Sequence, residues 1–444
     1  MKIIIAGAGE VGTHLAKMLS NEDQDIILLD SDQARLDIID ANYNLMTWHG
    51  STSSFQTLRD IGVDSTDLYI AVTPYETRNI TACSIARQLG AKKTVARIDN
   101  YEFMQGANRE ILKDMGVDFL IYPENLGALE IGTALEHNWA RHWGELAEGQ
   151  LMLIGVKLHA GTPLVGCYLR ALPSQDHFFH VAAIKRNHET IIPKGDDMLE
   201  EEDIVYFIIA AQDIYRLRSL CGKVQHNIKK VMIMGGSRIT IRFALQYHDR
   251  YHIKIIESDK DVCESLATRL PDCEIVYGDG RDLEVLKENN FSDYDAFMGL
   301  TDSSETNILA CLTAKEAGVP KTIADIEKIQ FISQAEKLNI GTIINKKLLA
   351  SSRIFKIMLD ADESSAKFLA LADADVAQLL VKPGAKITKG PVRTLKLPYG
   401  MTLAAVVHHG QCSLVGGNTQ IQVGDSVVVF CLAGSIHKIE KWFS

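Results

Sequence analysis

Residues 2–6 read KIIIA, an apolar run with no polar interruption after Lys2, as in a strand covered on both faces within a parallel sheet. A turn with glycines at 7, 9 and 12 follows. Beyond it Val11, Leu15, Met18 and Leu19 fall at i, i+4, i+7 and i+8, the apolar face of a helix. A second apolar run, DIILLD, closes on Asp30. Short apolar runs keep alternating with helical patterns through IAVT at 70–73 and TVARI at 94–98, which predicts a doubly wound α/β sheet. From about residue 148 the pattern changes to short β-rich stretches, and the strand IVYFII at 204–209 lies behind a turn containing Gly195 and Asp196.

The same order of patterns then recurs. KIIIAGAGEVGTHLA (2–16) lies over KVMIMGGSRITIRFA (230–244), an offset of 228, and at that offset residues 47–73 match 275–301. Thr73 and Asn79 meet Thr301 and Asn307, and TVARI meets TIADI at 322–326. A second β-rich piece follows, with its own G-D turn at Gly424 and Asp425 before VVVFCL. One offset held over about 95 residues predicts a tandem duplication. The expected fold class is α/β, with two tandem Rossmann-like domains, each followed by a small α+β domain. The expected boundaries are 1–123 and 227–345 for the Rossmann-like domains and 148–226 and 371–444 for the small ones. Helical connections are expected at 124–147 and 346–370.

The first glycine turn carries the candidate chemistry. In a strand–turn–helix context Gly7 permits the tight turn, Gly9 lets a pyrophosphate approach the backbone, and Gly12 lets the helix pack on the strand. Asp30, 18 residues past Gly12, is placed to accept hydrogen bonds from a ribose and to repel a 2′-phosphate, favouring NAD or an adenosine nucleotide over NADP. In the second half these glycines become Gly235, Ser237 and Thr240, so close packing there is less assured. Glu257 replaces Asp30, Asp325 replaces Arg97, and Asp279 stands where the first half has Ser51. The first site is expected to bind nucleotide more reliably, with the second altered, weak or empty.

Composition narrows the function classes. The chain has 444 residues, 46% hydrophobic and 23% charged, which fits two to four globular domains. A formal charge of −11 argues against nucleic acid as a partner. The apolar runs are too short to span a bilayer, and MKIIIAGAG enters a strand at once, unlike a signal peptide; the expected compartment is the cytoplasm. Eight cysteines, at 83, 167, 221, 263, 273, 311, 412 and 431, show no metal spacing and read as reduced thiols, so no metal is expected.

No catalytic set accompanies the turn: His180, His188, His408 and His409 belong to no recognisable triad, and P-loop, H-E-x-x-H and G-x-S-x-G motifs are missing. The acidic run EEED at 200–203 reads as a solvated turn with capacity for a divalent cation. Nucleotide capture without chemistry points to a sensor rather than an enzyme, with an NAD-dependent oxidoreductase as the alternative.

MKIIIAGAGEVG, LLD at 28–30, IAVT with Asn79, ARI at 96–98 and the paired C-terminal pieces resemble the TrkA family, the peripheral nucleotide-binding subunits of bacterial Trk potassium uptake systems, with two RCK units per chain. The resemblance runs over nearly the whole chain in the same order. It implies RCK_N and RCK_C domains repeated, and a homo-oligomeric ring of RCK units on the inner face of the membrane. Its implied partner is a potassium-translocating membrane subunit, gated in response to NAD(H) or ATP/ADP; a different channel or transporter partner is the alternative. Carried onto this chain, the nucleotide contacts are Gly7, Ala8, Gly9, Glu10, Val11, Asp30, Ser51, Thr73, Pro74 and Arg97. The second-half counterparts are Gly235, Gly236, Ser237, Glu257, Asp279 and Thr301. The segment 124–143, with Leu126, Leu129, Ile131 and Leu135, would be the helical connection through which RCK units pair.

Overall fold

The computed structural model describes every residue except 21–23, 44, 173–177, 188, 362–365, 372–373, 399, 433–438 and 440, so His188 lies outside the described residues. The chain forms two compact units, one of Met1–Leu129 with Asn345–Asp362 and one of Glu130–Ile344 with Glu363–Ser444.

In the first unit, β1 (Lys2–Ala6), β2 (Asp25–Asp30), β3 (Met46–His49), β4 (Leu68–Ala71), β5 (Lys93–Arg97) and β6 (Phe119–Ile121) build a parallel sheet in the order β3-β2-β1-β4-β5-β6. This is the doubly wound order expected for a dinucleotide-type fold. The helices are α1 (Glu10–Ser20), α2 (Gln33–Asn42), α3 (Phe55–Asp60), α4 (Glu76–Gln88), α5 (Gly106–Asp114) and α6 (Pro123–Glu136), the last running on into the second unit. Ile3, Ile4, Ile5, Leu28, Leu29 and Ile70 are fully buried, as runs covered on both faces must be. Val11, Leu15 and Leu19 bury the apolar face of α1, and Met18 at its margin is half-buried.

The second unit begins with an antiparallel sheet of β7 (His142–Leu146), β8 (Leu151–Lys157), β9 (Phe179–Arg186), β10 (Glu189–Ile191) and β11 (Ile204–Ala210), ordered β10-β9-β11-β8-β7 and followed by α7 (Ile214–Leu220). A second parallel sheet follows: β12 (Lys230–Met234), β13 (His252–Glu257), β14 (Glu274–Tyr277), β15 (Ala296–Gly299), β16 (Lys321–Asp325) and β17 (Thr342–Ile344). Its order, β14-β13-β12-β15-β16-β17, repeats that of the first. Its helices are α8 (Arg238–Tyr247), α9 (Lys260–Arg269), α10 (Leu283–Glu288), α11 (Ser304–Glu316) and α12 (Ile332–Lys337). Next in the chain, α13 (Lys346–Ala361) belongs to the first unit and packs on α1. Finally β18 (Ala366–Leu371), β19 (Ala374–Leu380), β20 (Met401–His408), β21 (Gln411–Leu414) and β22 (Ser426–Leu432) form a sheet ordered β18-β19-β22-β20-β21, the first small sheet read from its other edge. The two small sheets share one apolar core, in which Leu151, Leu153, Tyr206 and Ile208 meet Ala405, Val428 and Phe430.

Three expectations change. The segment 124–147 is not helical throughout: α6 stops at Glu136, and β7 pairs with β8 because Trp143 packs into the core of the first small module. Likewise 346–370 holds α13 and then β18. The G-D turn at Gly424 and Asp425 corresponds structurally to Glu202 and Asp203, which directly precede β11, and not to Gly195 and Asp196. Glu202 and Gly424 both have positive φ, +70° and +90°. Asp203, 1% exposed, takes Nε and Nη2 of Arg186 at 2.8 and 2.7 Å, where Asp425, 3% exposed, takes Nδ1 of His408 at 2.5 Å.

Candidate functional site

The first glycine turn leaves the C-terminal end of β1, whose neighbours are β2 and β4, the switch point at which doubly wound sheets take ligands. Gly7 has φ +118°, and a Cβ there would lie 3.0 Å from the Thr73 nitrogen. A Cβ on Gly12 would stand 1.8 Å from the Gly7 carbonyl oxygen, so turn and helix touch backbone to backbone. Gly9 is different: a Cβ there meets nothing within 4 Å, and the space beside it is open.

Asp30, 9% exposed, fixes this turn. Its Oδ2 accepts the Ala8 amide at 2.5 Å and its Oδ1 the Asp32 amide at 2.9 Å, while the Gly7 amide donates to Leu29 O at 2.8 Å. Each carboxylate oxygen has two lone pairs, which leaves acceptor capacity toward a ribose hydroxyl. Ala8 and Val11 are buried, and Glu10, exposed at the first position of α1, pairs with Lys347 of α13. Ser51 and Pro74 are exposed just past β3 and β4.

A residue noted in the sequence for its recurrence and its place in the family-like motif, but not as a site residue, turns out to organise the rest. Asn79, fully buried, accepts from the Thr73 amide at 3.0 Å and the Thr73 hydroxyl at 2.6 Å, and donates to the carbonyls of Thr73 and Arg97, both at 2.9 Å. The ends of β4 and β5 are thereby locked together. Arg97 donates from Nη2 to Asp99 Oδ1 at 3.2 Å, and its Nε is buried with no hydrogen-bond partner. A buried donor left unmet costs free energy that an anion could restore. Glu76 accepts the amides of Asp99 and Asn100 at 2.8 and 2.9 Å and so fixes the loop that follows Arg97.

The second half rebuilds the frame and changes the contents. Gly235 has φ +104°, and Gly236 donates to Glu257 Oε2 at 2.6 Å as Ala8 does to Asp30. The Asn307 side chain repeats the Asn79 clamp, joining Thr301 at 2.7 Å to the Asp325 carbonyl at 2.8 Å. Packing of the helix on the turn is not loosened as expected. Thr240 is fully buried, and its hydroxyl donates to the Gly235 carbonyl at 2.7 Å, replacing the bare backbone contact with a hydrogen bond. Ser237 lies 3.2 Å from that hydroxyl. Asp279 is occupied by Arg281, whose Nη2 donates to it at 2.6 Å; the guanidinium holds the carboxyl below its usual range.

The remaining candidates are accounted for locally. In the acidic run, Glu200 and Asp203 pair with Arg186, and Glu202 with Lys157 at 2.6 Å. His180 lies half-buried against the Thr402 hydroxyl at 3.1 Å, and its partial removal from water pushes its pKa down to about 4. His408 does meet a carboxylate, that of Asp425, a contact the sequence motifs gave no sign of. Cys83, Cys221, Cys263, Cys311 and Cys431 are buried, and Cys167, Cys273 and Cys412 partly so; no disulfide joins any of the eight. Burial pushes Cys221 and Cys311 up to about 12, far from the reactive thiolate range.

A family model described as the TrkA-N domain matches residues 3–123 and 231–346, and one described as the TrkA-C domain matches 153–222. The Trk system potassium uptake protein TrkA of Vibrio alginolyticus is 31% identical over 441 residues, covering 97% of this chain and 95% of that protein. Its counterpart in Halomonas elongata is 29% identical over 452 residues, covering 100% and 98%. Among solved structures, the GsuK RCK domain superposes with a TM-score of 0.60 at 15% identity, covering 100% of this chain and 94% of that one. The GsuK channel bound to NAD gives 0.60 at 15% identity, covering 100% and 78%. At such identity the likeness is one of fold.

Proposed function

The chain belongs to the TrkA family, and from that premise we propose that it is a regulatory subunit, peripheral on the cytoplasmic face of the membrane, that gates a potassium-translocating protein of the Trk type. Nucleotide bound at the first glycine turn, NAD(H) or ATP/ADP, is the signal, and a homo-oligomeric ring of these chains is the form that acts. The relatives' names support the potassium-uptake role, and the fold shared with GsuK, solved bound to NAD and bound to ADP, supports the nucleotide. Among the described residues no helix is long and apolar enough to cross a membrane.

The observation that carries the reading is the open cradle at Gly9, framed by the Gly7–Gly12 backbone contact, the Asp30 tie and the unmet Nε of Arg97. Gly7, Ala8, Gly9, Asp30 and the backbone of Glu10 and Val11 at the start of α1 would hold the phosphates and ribose, and Ser51, Thr73, Pro74 and Arg97 would close the site from the neighbouring strand ends. The second turn, with Ser237, Thr240 and Asp325, is the weaker or idle one. A nucleotide shifts the ring between two shapes only by its difference in affinity for them, so ligands with different phosphate charge favour different shapes without reacting. Potassium flux through a reconstituted Trk-type membrane subunit tests this. Flux should change with ATP, ADP and NADH in turn, with each nucleotide recovered unaltered; identical flux with and without nucleotide, or recovery of oxidised NADH, would overturn it.

A further inference from the structure

The Glu10–Lys347 pair joins the first-half turn to a helix that the sequence places in the second half. Glu10 follows Gly9 directly and opens α1, where the free amides of a helix N-terminus favour a phosphate and its own carboxylate opposes one. The two partners are not equally fixed. The Lys347 side chain is 21% exposed against 68% for Glu10, and α13 is packed along α1. Removal from water pulls the lysine pKa down, so the ammonium gains from an anion beside it. The glutamate can swing into solvent at small cost while the ammonium stays at the turn.

The repeat strengthens the case. Its counterpart of Glu10 is Arg238, the first residue of α8. Lys347 is the second residue of α13, and the second residue of α6 is Glu124, so both positions carry the opposite charge in the other repeat. A lysine delivered to a glutamate at the phosphate turn is therefore a property of the first half alone.

We propose that Lys347 reads the phosphate charge of the nucleotide at the first-half turn, holding Glu10 when the turn is empty and exchanging it for the phosphates when a polyphosphate binds. The proposal rests on the nucleotide-binding reading above and adds the residue that discriminates between nucleotides. Discrimination follows from charge: the triphosphate of ATP competes for the ammonium better than the doubly charged pyrophosphate of NAD⁺.

Calorimetric titration of the full chain with ATP and with NAD⁺ tests this in the parent, Lys347→Gln, Lys347→Arg and Glu10→Gln. Lys347→Gln should weaken ATP about tenfold, the value of one charge-assisted hydrogen bond, and NAD⁺ by less than about threefold. Lys347→Arg should restore most of the preference. Glu10→Gln, at an exposed site that folding does not need, should tighten ATP. If the parent binds both nucleotides and Lys347→Gln changes both affinities equally, with Glu10→Gln neutral, the role of Lys347 is overturned while nucleotide binding stands. If the parent binds neither, both fall together.

Discussion

Arg97 and Asp30 stand at the same sheet edge with opposite degrees of commitment. Both oxygens of Asp30 are already held by backbone amides, so replacing it would disturb the turn as well as any ligand contact. Arg97 has a buried Nε with no partner and one pairing to Asp99, so its loss removes little that the folded chain uses. Arg97→Ala should leave thermal stability within about 1 kcal/mol of the parent yet weaken a polyphosphate nucleotide about tenfold. Melting and titration of the same variant separate the two effects, and unchanged affinity would remove Arg97 from the site. The glycines, Asp30 and Arg97 were legible because each sits at a fixed step from a strand or helix start. Asn79 was visible only as a recurrence and a motif position, since its part depends on bringing the ends of β4 and β5 within reach of one amide.

Among elements, the sheets and their repetition were legible from apolar runs and a constant offset, and the small modules were less so. Their defining contacts, Arg186–Asp203 and His408–Asp425, each join residues 17 apart across antiparallel strands, a separation that no local pattern announces. The core shared by the two small sheets was equally hidden, because strands buried on one face against their own module and on the other against its twin look like any buried strand. Asp203 accepts two guanidinium hydrogen bonds and the Glu200 amide at 2.8 Å while 1% exposed. Asp203→Ala should therefore destabilise the second unit by about 3 kcal/mol or more, since it leaves Arg186 without its buried partner. Urea unfolding should show the loss; a midpoint unchanged from the parent would mean that Glu200 and solvent suffice for Arg186.

For the molecule as a whole, buried bases set the response to pH. Lys321, 6% exposed, donates to the Asn138 carbonyl at 3.3 Å, and burial beside Arg141 pushes its pKa down to about 7. Burial, with Lys185 and Arg141 nearby, pushes His142 down to about 4, and burial alone does the same to His180. In each case the unfolded chain takes up the proton at higher pH than the folded one. Stability of the second unit therefore falls from about pH 10 to pH 7 through Lys321 and again from about pH 6.5 to pH 4 through the histidines. Lys321→Met should flatten the upper limb and stabilise the protein at pH 7 by a few kcal/mol, read from melting temperature across pH; an unaltered upper limb would show that Lys321 stays charged in the fold.

The central claim is that the first glycine turn holds a nucleotide, and Gly9 offers the cleanest access to it. A Cβ at Gly9 would meet no atom within 4 Å beyond its chain neighbours, so Gly9→Val should fold like the parent while filling the space a pyrophosphate would take. The deciding measurement is a calorimetric titration of the full chain and of Gly9→Val with ATP, ADP and NADH, with melting curves for both. The account predicts saturable binding by the parent and at least a hundredfold loss in the variant at unchanged melting temperature, on the order of 3 kcal/mol. Equal affinity in a folded Gly9→Val protein would contradict it.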